Sequence, residues 1–183
     1  YFARIARKIV SILNDNLEDG FVYRVDTRLR PFGESGHLVH SYAAFENYLM
    51  NHGRAWERYA YVKARLVYIG EEIKQTNSII NSMIKPFVFR KYLDYGILES
   101  LRELKQIIAK EVLRKKLSKD IKLGPGGIRE IEFIVQSIQI IRGGNSPLLR
   151  QPGLKRALDQ AIKERDLEQK IGEKLYLAYV FLR

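Results

Sequence analysis

The chain has 183 residues, 46% of them apolar and 29% charged, which is the composition of a folded domain and not of a disordered chain. It has no cysteine, so disulfides and thiolate metal sites are excluded, and His37, His40 and His52 are too few for a histidine-rich metal site. The net charge of +11 points to a polyanionic partner, and no uncharged run approaches the ~20 residues that a membrane helix needs.

Helical spacing of Phe2, Ile5, Ala6, Ile9 and Leu13 predicts a helix over 2–13. Turn formers then fill 14–20. Residues 21–30 read as a strand: Phe21, Tyr23, Val25, Thr27 and Leu29 alternate with Val22, Arg24, Asp26, Arg28 and Arg30. Residues 31–36 form a turn, 38–39 a short extended piece, and Ser41 caps a helix through His52 that Gly53 stops. Residues 54–63 read as helix and 64–68 as strand. A helix over 71–84 ends ahead of Pro86. Asp94 caps a long helix to about Lys116, with Ile97, Leu101, Leu104, Ile108 and Val112 as its apolar stripe. Residues 120–123 read as a short strand and Gly124-Pro-Gly-Gly127 as a tight turn. A helix over 128–142 follows, with Ile128, Ile131, Val135 and Ile138 on its core face. Gly143-Gly144 ends it, and helices over 154–162 and 167–182 complete a bundle. The first and last helical patterns carry no cap or stop signal, which predicts a segment of a longer protein.

Three stretches could carry chemistry. Arg24, Asp26, Arg28 and Arg30 share one face at period two. A solvated edge-strand face explains them. So does a phosphate and metal site, with Asp26 on a divalent cation and the guanidiniums forking onto phosphate oxygens. In 120–132, a glycine turn leading into a helix start gathers backbone N–H groups and the positive end of a helix dipole, with Lys122 adding charge. A tight connection explains the glycines equally well, and helix-dipole stabilisation explains Glu130 and Glu132. No Lys-Ser/Thr pair follows the glycines, so this is no Walker loop. In 53–65, Arg54, Glu57 and Arg58 sit within one helical turn and read as an ordinary ion-pair ladder and Trp56 as a core anchor, while Lys63 and Arg65 are placed to reach phosphate. The basic helix over 102–119 is interrupted by Glu103 and Glu111, which favours a solvated face over nucleic-acid binding.

Together and in this order, these segments resemble one family. The matching text is Gly20-Phe-Val-Tyr-Arg-Val-Asp-Thr-Arg-Leu-Arg-Pro-Phe-Gly33, Gly53-Arg-Ala-Trp-Glu-Arg-Tyr-Ala-Tyr-Val-Lys-Ala-Arg65, Pro86-Phe-Val-Phe-Arg-Lys-Tyr-Leu-Asp94 and Ile121-Lys-Leu-Gly-Pro-Gly-Gly-Ile-Arg-Glu-Ile-Glu-Phe-Ile-Val-Gln136. The family is that of the bifunctional glutamine synthetase adenylyltransferase/adenylyl-removing enzymes, and the wording of 90–94, 128–133 and 141–144 resembles the adenylyl-removing half. The resemblance is weakest after about Leu149.

The resemblance implies an α+β, mostly helical fold: a remnant of a polymerase-β-like nucleotidyltransferase sheet followed by a helical bundle. It divides the chain into a nucleotidyltransferase-like part, 1–143, and the start of a bundle, 144–183. It implies Mg²⁺-dependent phosphorolysis of a tyrosyl-AMP ester. Asp26 matches the third catalytic carboxylate and a metal ligand, and a Gly-Ser and D-x-D motif is expected ahead of Tyr1. The expected phosphate and nucleotide contacts are Arg28, Arg30, Lys63, Arg65, Lys122, Gly124, Gly126 and Gly127, with Glu130 and Glu132 touching metal. The implied partners are glutamine synthetase, a nitrogen-regulatory signal protein, ADP or ATP, and phosphate, in the cytoplasm, without nucleic acid or membrane. The homologous ATP-dependent adenylylating domain and a non-catalytic docking module are the alternatives, and 1–183 alone is expected to be inactive.

Overall fold

A computed structural model describes residues 1–18, 20–65, 73–92 and 95–183. These form eight α-helices: α1 (Phe2–Asn14), α2 (Tyr42–Asn51), α3 (Ala55–Tyr61), α4 (Ile73–Val88), α5 (Tyr95–Arg114), α6 (Ile128–Arg142), α7 (Leu154–Lys163) and α8 (Gln169–Leu182). The chain divides into two compact units, Tyr1–Gly53 and Arg54–Arg183.

In the first unit the expected helix forms, but α1 buries none of its residues, and its stripe of Phe2, Ile5, Ile9 and Ile12 is exposed. The expected strand over 21–30 does not form. Among the described residues there is no strand, only an isolated bridge between Leu17 and Gly20. The reason lies in the backbone groups. A strand needs a ladder partner, and here the end of α1 takes part of that role. The Tyr23 N–H donates to the Leu13 carbonyl at 2.8 Å and the Val25 N–H to Asn14 Oδ1 at 3.2 Å. The period-two pattern is therefore present without a sheet. Residues 38–39 likewise form no strand. The Ser41 hydroxyl caps α2 as expected, accepting from the Ala44 N–H at 3.3 Å. α2 buries Tyr48 and Leu49, and Phe32 packs edge-to-face on Tyr48 with ring centroids 4.8 Å apart.

The second unit is a helical assembly. α3 packs against α4, α5 and α6, while α6, α7 and α8 pack on one another. Val135 of α6 joins Ala157 and Leu158 of α7 in a core flanked by Leu154, Leu167, Leu175 and Tyr176. The ion-pair ladder expected on α3 is in fact interior: Glu57 and Arg58 are each 4% exposed. A Glu57 carboxylate oxygen accepts the Arg54 N–H at 2.7 Å, capping its own helix. Arg58 donates to the Val88 carbonyl at 3.0 Å, at the end of α4. Pro86 does not stop α4 as expected; the helix carries it in its last turn and continues to Val88. Ile97, Leu101 and Val112 of the α5 stripe are buried, whereas Leu104 and Ile108 face less protein. The Asp94 cap, and most of the strand expected over 64–68, lie outside the described residues.

The short strand expected over 120–123 is a chain of turns. One Asp120 carboxylate oxygen accepts the N–H groups of Lys122 (2.9 Å) and Leu123 (2.7 Å), which a strand would have offered to a neighbour. The Ile128 and Arg129 N–H groups donate to the Ile121 and Lys122 carbonyls at 3.1 and 3.0 Å, folding the start of α6 back onto this turn. A Cβ on Gly124 would lie 2.6 Å from the Asp120 carbonyl oxygen, and one on Gly127 2.5 Å from the Ile121 carbonyl oxygen. Gly126 has a φ of 74°, in the left-handed region that favours glycine.

Candidate functional site

The candidate residues fall in both units. In the first, Asp26 and Arg28 form a fork. Arg28 Nη2 lies 2.6 Å from Asp26 Oδ2, and Nε lies 3.0 and 3.1 Å from the two carboxylate oxygens. The Arg28 N–H also donates to Asp26 Oδ1 at 3.0 Å. These bonds hold the Asp26 carboxyl far below the usual carboxylate range and raise Arg28 in turn. Both side chains are exposed. Arg30 is used differently. Its guanidinium donates to the carbonyls of Thr27 (2.7 Å), Glu34 (2.9 Å) and Gly36 (3.1 Å), so it braces the loop that follows Asp26.

In the second unit, Lys63 pairs with Glu132 at 2.7 Å and Lys105 with Glu130 at 3.0 Å. Glu130 Oε2 also accepts the Gly126 N–H at 2.6 Å. That hydrogen bond first, and Lys105 second, lower the Glu130 carboxyl. The glycine turn thus does bind an anion, and the anion is the chain's own carboxylate. The Gly127 N–H is spent on the Gly124 carbonyl at 3.0 Å, and that of Gly124 on the Asp120 carbonyl at 2.8 Å. Arg65 and Lys122 have exposed side chains.

Lys63, Lys105, Gly124, Glu130 and Glu132 rim a cavity of about 570 Å³ between α3, α5, α6 and the glycine turn, which Arg65, Lys122, Gly126 and Gly127 do not line. Its walls are mostly apolar. Trp56 and Tyr59 come from α3, Leu104 and Ile108 from α5, and Phe133 from α6. Tyr59 and Phe133 are stacked, with centroids 4.9 Å apart. The Tyr59 hydroxyl is buried without a hydrogen-bond partner among the described residues, and burial, then the Glu132 charge, push its ionisation up. Lys105, Tyr59, Phe133 and Gln136 were missed in the sequence as site residues. Phe133 adjoins Glu132 and Tyr59 sits within the 53–65 motif, so proximity to charged candidates was the available signal.

Magnesium takes oxygen ligands in near-octahedral geometry, often completing its shell with water and phosphate. Among the described residues no three acidic or histidine side chains gather to hold a metal. Asp26 offers one carboxylate, already forked by Arg28, and Glu130 and Glu132 each face a lysine. The described residues do not by themselves fit a magnesium site.

The family profile described as glutamate-ammonia ligase adenylyltransferase matches residues 1–79, and the profile of the GlnD PII-uridylyltransferase matches residues 102–183. Over all 183 residues the chain is 50% identical to the bifunctional glutamine synthetase adenylyltransferase/adenylyl-removing enzyme of Nitrosococcus oceani. The chain spans 19% of that relative's length. The resemblance drawn from the motifs therefore holds along the whole chain, including the part after Leu149.

Proposed function

Starting from a chain that resembles the bifunctional glutamine synthetase adenylyltransferases from end to end, we propose that it forms part of a nucleotidyltransferase that removes AMP from an adenylylated tyrosine of glutamine synthetase. The whole-chain identity supports the family, and the wording of 90–94, 128–133 and 141–144 favours the adenylyl-removing half. In the reaction, an oxygen of inorganic phosphate bonds to the α-phosphorus of the tyrosyl-AMP ester. The bond from phosphorus to the tyrosyl oxygen breaks, the tyrosinate takes up a proton, and ADP is the second product.

The catalysis asked of such a site is positioning and charge neutralisation. Asp26 is the carboxylate of this reading, and Arg28 is the guanidinium placed to exchange its carboxylate partner for phosphate oxygens. Arg30 fixes the loop between them and Gly36. Lys63, Arg65, Lys122 and the Gly124, Gly126 and Gly127 turn supply positive charge for phosphate or nucleotide. Mg²⁺ would take Asp26 of the first unit as one ligand, and Glu130 and Glu132 of the second unit would be open to a metal only on leaving their lysines. Residues 1–143 serve the catalytic part and 144–183 open the bundle. A nitrogen-regulatory signal protein is the proposed regulator and the cytoplasm the proposed setting.

The test is ADP release from adenylylated glutamine synthetase with phosphate and Mg²⁺, by a full-length enzyme carrying this segment. Asp26→Ala is expected to lower the rate at least 100-fold. Full activity in that variant would overturn the role of Asp26. Loss of AMP incorporation from ATP, with phosphorolysis intact, would assign the chain to the adenylylating half instead.

A further inference from the structure

We propose that the basic pocket where the end of α4 meets the loop after α6 is a docking site for an acidic segment of a partner protein, one that presents several Asp or Glu side chains close together. Its residues are none of those assigned to phosphorolysis above, so the docking site goes beyond that reading and does not depend on it.

The pocket encloses about 570 Å³. Lys85, Arg90, Lys91 and Arg150 line it together with Phe89 and Tyr92, and among the described residues no carboxylate lines it. Other cations of this unit sit against acids: Lys63 on Glu132, Lys105 on Glu130, and Arg142 on Asp166 at 2.9 Å. Part of the net charge of +11 is therefore gathered at one place. A helix dipole accounts for a basic residue in the last turn of a helix, and Lys85 holds that position in α4. It does not account for Arg90 and Lys91, which lie beyond the helix, or for Arg150, which arrives from the far side of α6.

The fold assembles these cations. A Cβ on Gly144 would strike the Arg90 carbonyl oxygen, so a glycine is needed for the loop after α6 to lie against the chain that leaves α4. Arg150 is then fixed in place. Its Nε donates to the Gly143 carbonyl at 2.6 Å and its Nη2 to the Gly144 carbonyl at 3.2 Å, and its guanidinium lies over the Phe89 ring, 5.3 Å from the centroid. A guanidinium held by that edge keeps its charge but no longer offers the Nε–Nη2 fork to a ligand. The Lys85 and Lys91 side chains are exposed, and a lysine is a point charge on a flexible stem. This arrangement favours carboxylates over phosphate. Phosphate sites are commonly built from backbone N–H groups at a helix N-terminus, whereas the helix end present here is the carbonyl end of α4. Two flexible ammonium groups around a fixed guanidinium suit single charges spaced along a peptide. A nucleic-acid strand uses open aromatic rings along a basic track, and here one face of Phe89 already carries Arg150. Tyr92, 85% exposed, remains to cover an apolar side chain placed between the acidic ones.

The test titrates a full-length enzyme carrying this segment into a short fluorescein-labelled peptide of alternating Glu and Ala, read by fluorescence anisotropy at low ionic strength. A peptide with Gln in place of Glu is the control. The Glu peptide is expected to bind saturably and the Gln peptide not to bind. Lys85→Gln and Lys91→Gln together are expected to weaken the Glu peptide about tenfold, the loss of two exposed ion pairs, with an unchanged circular dichroism spectrum. Lys85→Arg with Lys91→Arg is expected to keep the affinity, and so is Lys155→Gln, whose lysine lies on α7 away from the pocket. Sodium phosphate is expected to displace the peptide no better than sodium chloride of equal ionic strength. The proposal is overturned if the Glu peptide does not bind saturably, if the Gln peptide binds as well, or if the folded double Gln variant binds normally. It is equally overturned if phosphate displaces the peptide beyond the effect of salt, or if a single-stranded oligonucleotide of the same charge binds more tightly through Lys85 and Lys91. Asp26→Ala is expected to leave the peptide titration unaltered, so the outcome is independent of the phosphorolysis reading.

Discussion

At the scale of single residues, the second unit keeps two unusual interior groups. Arg58 and Glu57 are buried charges whose hydrogen bonds tie α3 to its own start and to the end of α4. A hydrogen bond from a charged donor to a buried acceptor, such as that from Arg58 to the Val88 carbonyl, is worth about 1.5–3 kcal/mol. Arg58→Ala is expected to lower the stability of this unit by about 3 kcal/mol, read from the midpoint of urea unfolding. Tyr59 runs the opposite way. Its hydroxyl is buried with no partner among the described residues, and a buried unsatisfied hydroxyl costs about 1–3 kcal/mol. Tyr59→Phe is therefore expected to raise the urea midpoint, where most aromatic substitutions in a core lower it. Glu130 adds a pH dependence. Its carboxyl is lowered by the Gly126 N–H and by Lys105, so its contribution is complete above the ordinary glutamate range and disappears as pH falls through the lowered value. Glu130→Gln is expected to flatten the acid limb of the stability profile. These roles were hard to read in advance because a glutamate three residues from an arginine has the same spacing whether its helix face meets water or three other helices.

At the scale of elements, the helices were legible and the strands were not. Ile131 and Val135 are buried as the 3.6-residue period requires, and Ser41 caps α2 where its spacing placed it. Helical hydrogen bonds are local, so a segment's own sequence suffices to specify them. A strand's bonds go to another segment, and the alternation over 21–30 carries no information on whether that segment is at hand. In 120–123 a local competitor, the Asp120 carboxylate, took the backbone donors. The glycine turn was legible as a turn, and its steric basis now gives a prediction. Gly127→Ala places a methyl group 2.5 Å from the Ile121 carbonyl oxygen. It is expected to cost about 2 kcal/mol or more, with loss of amide-exchange protection at the start of α6.

At the scale of the whole molecule, the candidate site was legible as a set of residue types and not as an arrangement. Lys63 and Glu132 are 69 positions apart in the chain and meet at 2.7 Å, a contact that no spacing rule announces. Asp26, Arg28 and Arg30 were grouped by strand period, yet their present partners follow from loop geometry instead. The two units also differ in interior. Tyr48 and Leu49 are the buried large hydrophobics of the first, whereas the second buries residues from α3 through α7. Local opening follows the density of buried apolar contacts. Amides of 1–30 are expected to exchange with deuterium well before those of α6, and limited proteolysis to cut first within that segment.

The bare apolar stripe of α1 and the outward-facing Leu177, Val180 and Phe181 of α8 have a colloidal consequence. Such patches attract one another, while a net charge of +11 keeps copies apart. Salt weakens the repulsion, whose range shrinks from about 30 Å at 0.01 M to about 10 Å at 0.1 M ionic strength, and leaves the attraction intact. Light scattering is thus expected to show dispersed chains at low ionic strength and growing association as salt is added, the reverse of what a charge-paired assembly does.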